Sequence, residues 1–163
     1  MALFAKKRHL LAAGAPVPDF RLPLLDGGET TPRGMISKGP ALVAFFKVSC
    51  PVCQLTLPFL DRIHSAGGLP VYGVSQNDAG DTRDFNTRFG LSFPTLLDSE
   101  KAGFAVSNAF GISSVPTLFL IETDGSIGRV LEGWSKSEIE RLGELAGVKP
   151  FRPSDSVPEW KAG

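Results

Sequence analysis

Residues 39–47, GPALVAFFK, form a continuous apolar run that opens on a Gly-Pro turn signal. A run this short, this apolar and preceded by a turn fits a central strand buried on both faces. Such a strand needs cover on both sides of its sheet, which narrows the fold to an α/β sandwich. From Pro51 the pattern changes. Val52, Leu55, Thr56, Phe59, Leu60 and Ile63 recur at helical spacing, and Pro51 suits the first helical position. Pro58 falls inside this helix and predicts a kink, because it removes a backbone donor. The buried strand therefore runs straight into a helix, and the chain's two cysteines, Cys50 and Cys53, both lie at the junction.

The remaining segments alternate in the same way. Residues 16–22 read as an extended lead-in and Asp26-Gly27-Gly28 as a tight turn. Residues 69–75 predict a second buried strand, 78–89 a helix closed by Gly90, 92–98 a short extended piece, and 99–110 a helix. Residues 116–122 and 127–132 flank Thr123-Asp124-Gly125-Ser126, a hairpin signal. Ser135 or Ser137 caps a last helix, with Glu138 or Glu140 three residues on, and this helix ends near Gly147. The expected organisation is an N-terminal arm over 1–15, one domain over 16–147 with a mixed central sheet flanked by helices, and a proline-rich tail over 148–163. The tail is too rich in proline for an element and is expected to be pinned by Trp160.

A chain of 163 residues with 42% hydrophobic and 21% charged residues is an ordinary single globular domain. It can bury roughly 70% of the surface it exposes when unfolded, so it needs no staple to fold. Seventeen basic residues balance seventeen acidic ones, which removes any bulk electrostatic reason to bind nucleic acid or an anionic membrane. Lys6-Lys7-Arg8 is a local basic patch. The apolar run after it, Leu10 to Ala15, falls short of the about 7–15 residues of a secretory core, and no run is long enough to span a bilayer. These features set the expectation of a cytoplasmic protein, monomeric or weakly dimeric, in surroundings that disfavour a purely structural disulfide.

Four chemistries can use a Cys-x-x-Cys turn. A closed zinc site needs four ligands, and beyond the cysteines the chain offers only His9 and His64, without finger spacing. Haem attachment wants histidine directly after the second cysteine, where Gln54 stands. A staple across two residues gains almost nothing, since its benefit grows with the loop it closes. A redox couple fits. Cys50 lies at the first turn of a helix, where free amides and the macrodipole favour a thiolate. Cys53, three residues on, shares its side of the helix and can attack a mixed disulfide. No metal or organic cofactor is called for; the couple is the Cys50–Cys53 pair itself.

Four stretches carry a family likeness: Pro16-Val17-Pro18-Asp19-Phe20, the segment Phe45 to Cys53, the segment Phe89 to Asp98, and Ser114-Val115-Pro116-Thr117 with the strand after it. On these the chain resembles the thioredoxin-like superfamily, in the redoxin branch of TlpA-like reductases and AhpC/TSA proteins. The resemblance covers about residues 16–146 and implies a three-layer sandwich. It implies that Cys50 is the nucleophile, Cys53 the resolving thiol and Pro116 a cis-proline facing them, with the Val115 backbone, Pro51 and Val52 lining the partner's path. Departures mark the limits of the likeness. Ser49 precedes the nucleophile where tryptophan is frequent, and Ala44 stands where thioredoxins proper carry a buried aspartate. Asn77, with Asp78 beside it, falls where TlpA-like reductases often have a glutamate. Asp78 is read as a helix cap before a proton shuttle. Lys47 either lowers the pKa of Cys50 as a nearby cation or carries its charge out to solvent.

The likeness implies a thiol–disulfide oxidoreductase that exchanges with a protein or small-molecule thiol or disulfide. The alternatives are a peroxiredoxin-like peroxidase and a non-catalytic binding domain. Peroxiredoxins place threonine three residues before the peroxidatic cysteine and proline four before that. Those positions hold Lys47 and Val43 relative to Cys50, and Cys50 and Phe46 relative to Cys53.

Overall fold

The computed structural model describes residues 9–163; Lys6-Lys7-Arg8 and the first part of the expected arm lie outside the described residues. A short antiparallel ribbon of β1 (Leu22–Pro23) and β2 (Glu29–Thr30) precedes the central element, β3 (Ala41–Phe46), which is buried at every residue. Strand β3 pairs in parallel with β4 (Val71–Ser75) and antiparallel with β6 (Thr117–Ile121). Outside these lie β5 (Thr95–Leu97), parallel to β4, and β7 (Ile127–Glu132), antiparallel to β6. The order β5-β4-β3-β6-β7 makes a mixed sheet of five strands.

Strand alternation sends β3 into two separate cores. Leu42, Ala44 and Phe46 pack with Leu57, Leu60 and Ile63 of α2 (Pro51–Ser65), Phe85 of α3 (Ala79–Phe89), and Ile139 and Leu142 of α5 (Lys136–Ala146). Ala41, Val43 and Phe45 face the other way. They meet Met35 of α1 (Pro32–Met35) and Val106 and Phe110 of α4 (Ala105–Phe110). Helix, sheet and helix make three layers. The expected sandwich with a mixed central sheet is the one observed.

Helix ends follow their chemistry. Asp78 Oδ1 accepts from Asp81 N–H at 2.8 Å and opens α3, and Gly90 closes it in the left-handed region. Ser135, rather than Ser137, caps α5 by accepting from Glu138 N–H, with Gly147 at its far end. Pro58 sits inside α2, which nonetheless runs from Pro51 to Ser65 as one helix. The expected helix over 99–110 is instead two pieces, a 3-10 turn at Glu100–Ala102 and then α4. The break falls at Gly103 and Phe104, both at positive φ. Its cause is Asp98. This fully buried carboxylate accepts from the N–H of Val106, the N–H of Ser107 and the Ser107 hydroxyl, and so fixes where α4 begins.

Both terminal segments of the described chain are tied to the domain. Leu11 N–H donates to Phe110 O at 3.1 Å, and Gly14 N–H to Ile127 O at 2.7 Å. The tail lies over α2 and α5. Arg62 holds the Asp155 carboxylate with two hydrogen bonds, 2.7 and 3.2 Å, and donates to Pro150 O. Phe151 packs on Phe59 and Trp134. Trp160 is not the pin, being 67% exposed. That part falls to Trp134, which is fully buried and donates from Nε1 to Pro158 O. Nor is the tail devoid of elements: past its last proline, β9 (Trp160–Lys161) pairs antiparallel with β8 (Trp134–Ser135).

Candidate active site

Cys50 is the N-cap of α2 and Pro51 its first residue, so the fixed φ of proline starts the helix directly after the sulfur-bearing residue. The Cys50 sulfur accepts from Cys53 N–H at 3.1 Å, an amide that the helix itself leaves unpaired. On its other side the Cys50 thiol donates to the Val115 carbonyl at 3.4 Å. The Val115–Pro116 peptide bond is cis. Thus β3, the start of α2 and the loop before β6 converge on one sulfur. Val52 is half-buried on the first turn, and its carbonyl accepts from the Thr56 hydroxyl.

The two thiols differ in access. Cys50 is partly exposed, whereas Cys53 is fully buried within the α2 side of the core. Burial pushes the Cys53 thiol up from its ordinary value. Its hydrogen bond and charge interaction with Cys50 act in the same direction, and the backbone and ammonium of Lys47 oppose them. Lys47 is exposed at the end of β3, so its charge is in solvent while its backbone remains beside the thiols. Asp78 caps the first turn of α3 through Oδ1.

Two contributors were not legible as such in the sequence. The Asn77 side-chain oxygen accepts from Val48 N–H at 3.0 Å, and Gln54 Nε2 donates to Val48 O at 3.1 Å. Two side-chain amides therefore grip both polar groups of Val48 in the loop that carries Cys50. The only available signal was position: Gln54 follows Cys53, and Asn77 stands where a glutamate is frequent in TlpA-like reductases.

Among the described residues no three His, Cys, Asp or Glu side chains gather as a metal cluster. His64 is a satisfied structural residue, accepting at Nδ1 from Val71 N–H. Among the described residues no helix is long and apolar enough to cross a membrane.

Comparison with known proteins decides the family. The model of the AhpC/TSA family matches residues 13–130. The chain belongs to that family. A thiol–disulfide oxidoreductase ResA from Halalkalibacterium halodurans is 31% identical over 152 residues, spanning 90% of this chain and 83% of the relative. Among solved structures, the thioredoxin domain of a thiol–disulfide oxidoreductase from Bacteroides vulgatus superimposes with a TM-score of 0.72 at 21% identity. That match covers 82% of this chain and 96% of the other. A secreted disulfide oxidoreductase of Mycobacterium tuberculosis matches with a TM-score of 0.62 at 21% identity, over 79% and 96% of the two chains. The fold is thioredoxin-like, and the activity of this family member is thiol–disulfide exchange.

The cytoplasmic expectation is corrected by the last of these proteins. A secreted oxidoreductase with the same fold shows this architecture at work outside the cytoplasm. The shortness of one apolar run therefore says nothing about compartment. Reducing surroundings no longer weigh against a structural disulfide, but a bridge across two residues still gains almost nothing from loop closure.

Proposed function

We propose that Cys50 is the attacking sulfur and Cys53 the resolving one, with a protein or small-molecule disulfide as partner. The observation that carries this is the difference in access: Cys50 is partly exposed and set against the Val115 carbonyl, while Cys53 is fully buried behind it. In the reducing direction, the Cys50 thiolate attacks one sulfur of the partner disulfide. A Cys50–partner bond forms, and the other partner sulfur leaves as thiolate. Cys53 then loses its proton and attacks Cys50. The internal disulfide forms, and the second partner thiol departs. Two electrons have passed to the partner, and the oxidising direction is the same sequence reversed.

Cys53 is the costly nucleophile, because burial favours its protonated form. With Asp78 committed to α3 and Asn77 unable to accept a proton at pH 7, the departing partner thiolate is the base on hand. The Val115 backbone, Pro51 and Val52 flank the path to Cys50 and make the partner surface. The working couple is the cysteine pair, without metal or organic cofactor, in a monomeric or weakly dimeric protein that has no use for nucleic acid.

Replacing Cys53 with Ser removes the resolving sulfur and leaves Cys50. The variant is expected to accumulate a mixed disulfide with a thiol-labelled disulfide peptide, seen as a mass increase that dithiothreitol reverses. A Cys50→Ser variant is expected to trap nothing. Trapping on Cys53 in place of Cys50 would reverse the assignment.

A further inference from the structure

The C-terminal segment reaches the same carbonyl that Cys50 uses. The route begins at Gly133, which donates its N–H to Pro116 O at 2.8 Å and so lies beside the proline loop. From there β8 leads away, and β9 returns along it in antiparallel register, Ser135 opposite Trp160 and Trp134 opposite Lys161. The next residues run back past Gly133. A Cβ built on Gly133 would lie 2.8 Å from the Gly163 nitrogen, and one built on Gly163 would lie 2.6 Å from the Val115 oxygen. Only glycine on both sides allows this approach. The backbone of Gly163 is thus packed against Val115, the peptide that the Cys50 thiol touches.

The hold on this segment changes abruptly along its length. Up to Glu159 the tail is well fastened: Trp134 Nε1 donates to Pro158 O at 2.6 Å, and Lys136 N–H donates to Glu159 O at 2.9 Å. Beyond Glu159 every residue is exposed. A two-residue ladder with exposed side chains is marginal by itself. The segment therefore has a fixed root and a loosely held tip, and the tip lies on the partner's path.

We propose that residues 160–163 are a specificity gate for Cys50, occupying the Val115 edge against partners that approach as an extended polypeptide while leaving the sulfur open to small disulfides. A polypeptide must displace the tip from β8 before its backbone reaches Val115. A small disulfide needs only the sulfur. This rests on the exchange chemistry proposed above, and it assigns the tail a part in choosing partners.

The test compares the full chain with a variant lacking residues 160–163, which keeps the anchors at Pro158 and Glu159. The readouts are reduction of insulin disulfides and of hydroxyethyl disulfide, each with dithiothreitol as electron source. The expected result is a several-fold rise in kcat/KM toward insulin with the small disulfide unchanged. An unchanged insulin rate overturns the gate, and so does an equal change with both probes in either direction. Should the deletion fail a thermal melt, Lys161→Pro frees the same tip by breaking the β8–β9 ladder, and the same outcomes apply. If the intact chain reduces neither probe, the exchange reading falls and takes the gate with it.

Discussion

Val48 shows how much of the site depends on residues without reactive chemistry. Its N–H is held by Asn77 and its carbonyl by Gln54, and two residues later comes Cys50. Replacing Asn77 with Ala leaves a part-buried N–H without an acceptor, which costs about 1–3 kcal/mol. Urea unfolding of the reduced protein is expected to show a loss of that size, and Asn77→Asp, which keeps an acceptor, a smaller one. Equal losses in the two variants would assign the effect to packing. Cys50 and Cys53 stand out locally as a Cys-x-x-Cys turn at a helix start, whereas Val115 and Pro116 are singled out only through the family likeness. Asn77 belongs to no such motif. Its partner lies 29 positions away, and an amide on a loop looks the same in sequence whether it faces water or a peptide.

At the scale of elements, packing decides what propensity leaves open. Gly73 lies within β4, where glycine weakens a strand, yet a Cβ there would stand 2.8 Å from the Phe93 ring and 3.0 Å from the Phe46 ring. Both rings are buried, and Phe46 is the last residue of β3 before the cysteine loop. Gly73→Ala is therefore an overpacking substitution, expected to cost about 1–3 kcal/mol. A thermal melt should fall by about 2–4 °C for each kcal/mol in a chain of this size. A neutral Gly73→Ala would mean that the rings yield without cost. The same contrast explains which elements the sequence disclosed. Strands β3 and β4 and helices α2, α3 and α5 carry their signals locally, as apolar runs, caps and glycine stops. The break at Gly103-Phe104 does not, because Asp98 imposes it from outside the helix. The β8–β9 pair was equally hidden, since its strands join residues 134–135 to 160–161 across a whole helix.

At the scale of the whole molecule, the tail is tied to α2 and β8 through one polar knot and one aromatic cluster. The knot is Asp155, which accepts from Arg62 and from Arg152 N–H. The Arg62 hydrogen bonds, with the Arg152 amide second, hold its carboxyl below the ordinary carboxylate value. The unfolded chain therefore takes up this proton first as the solution is acidified. Stability from the knot is complete above the unfolded value, about pH 3.9, and is lost as pH falls through the lower folded value. Asp155→Asn removes the titration while keeping an acceptor. Urea midpoints followed from about pH 6 to about pH 3 are expected to fall more steeply for the native chain than for Asp155→Asn. Parallel slopes would show that the knot adds nothing to stability. The difference bears on partner choice as well. A tail rooted by Arg62–Asp155 and Trp134 keeps its tip beside Val115 without strong contacts at the tip itself. Loosening the root at constant pH by Asp155→Ala should therefore raise access to Cys50 without unfolding the domain, and alkylation of Cys50 by a bulky maleimide near pH 7, where thiolate is available, should quicken relative to the native chain. Alkylation that speeds up only with global unfolding would separate the tail's stabilising role from any hold on the active site.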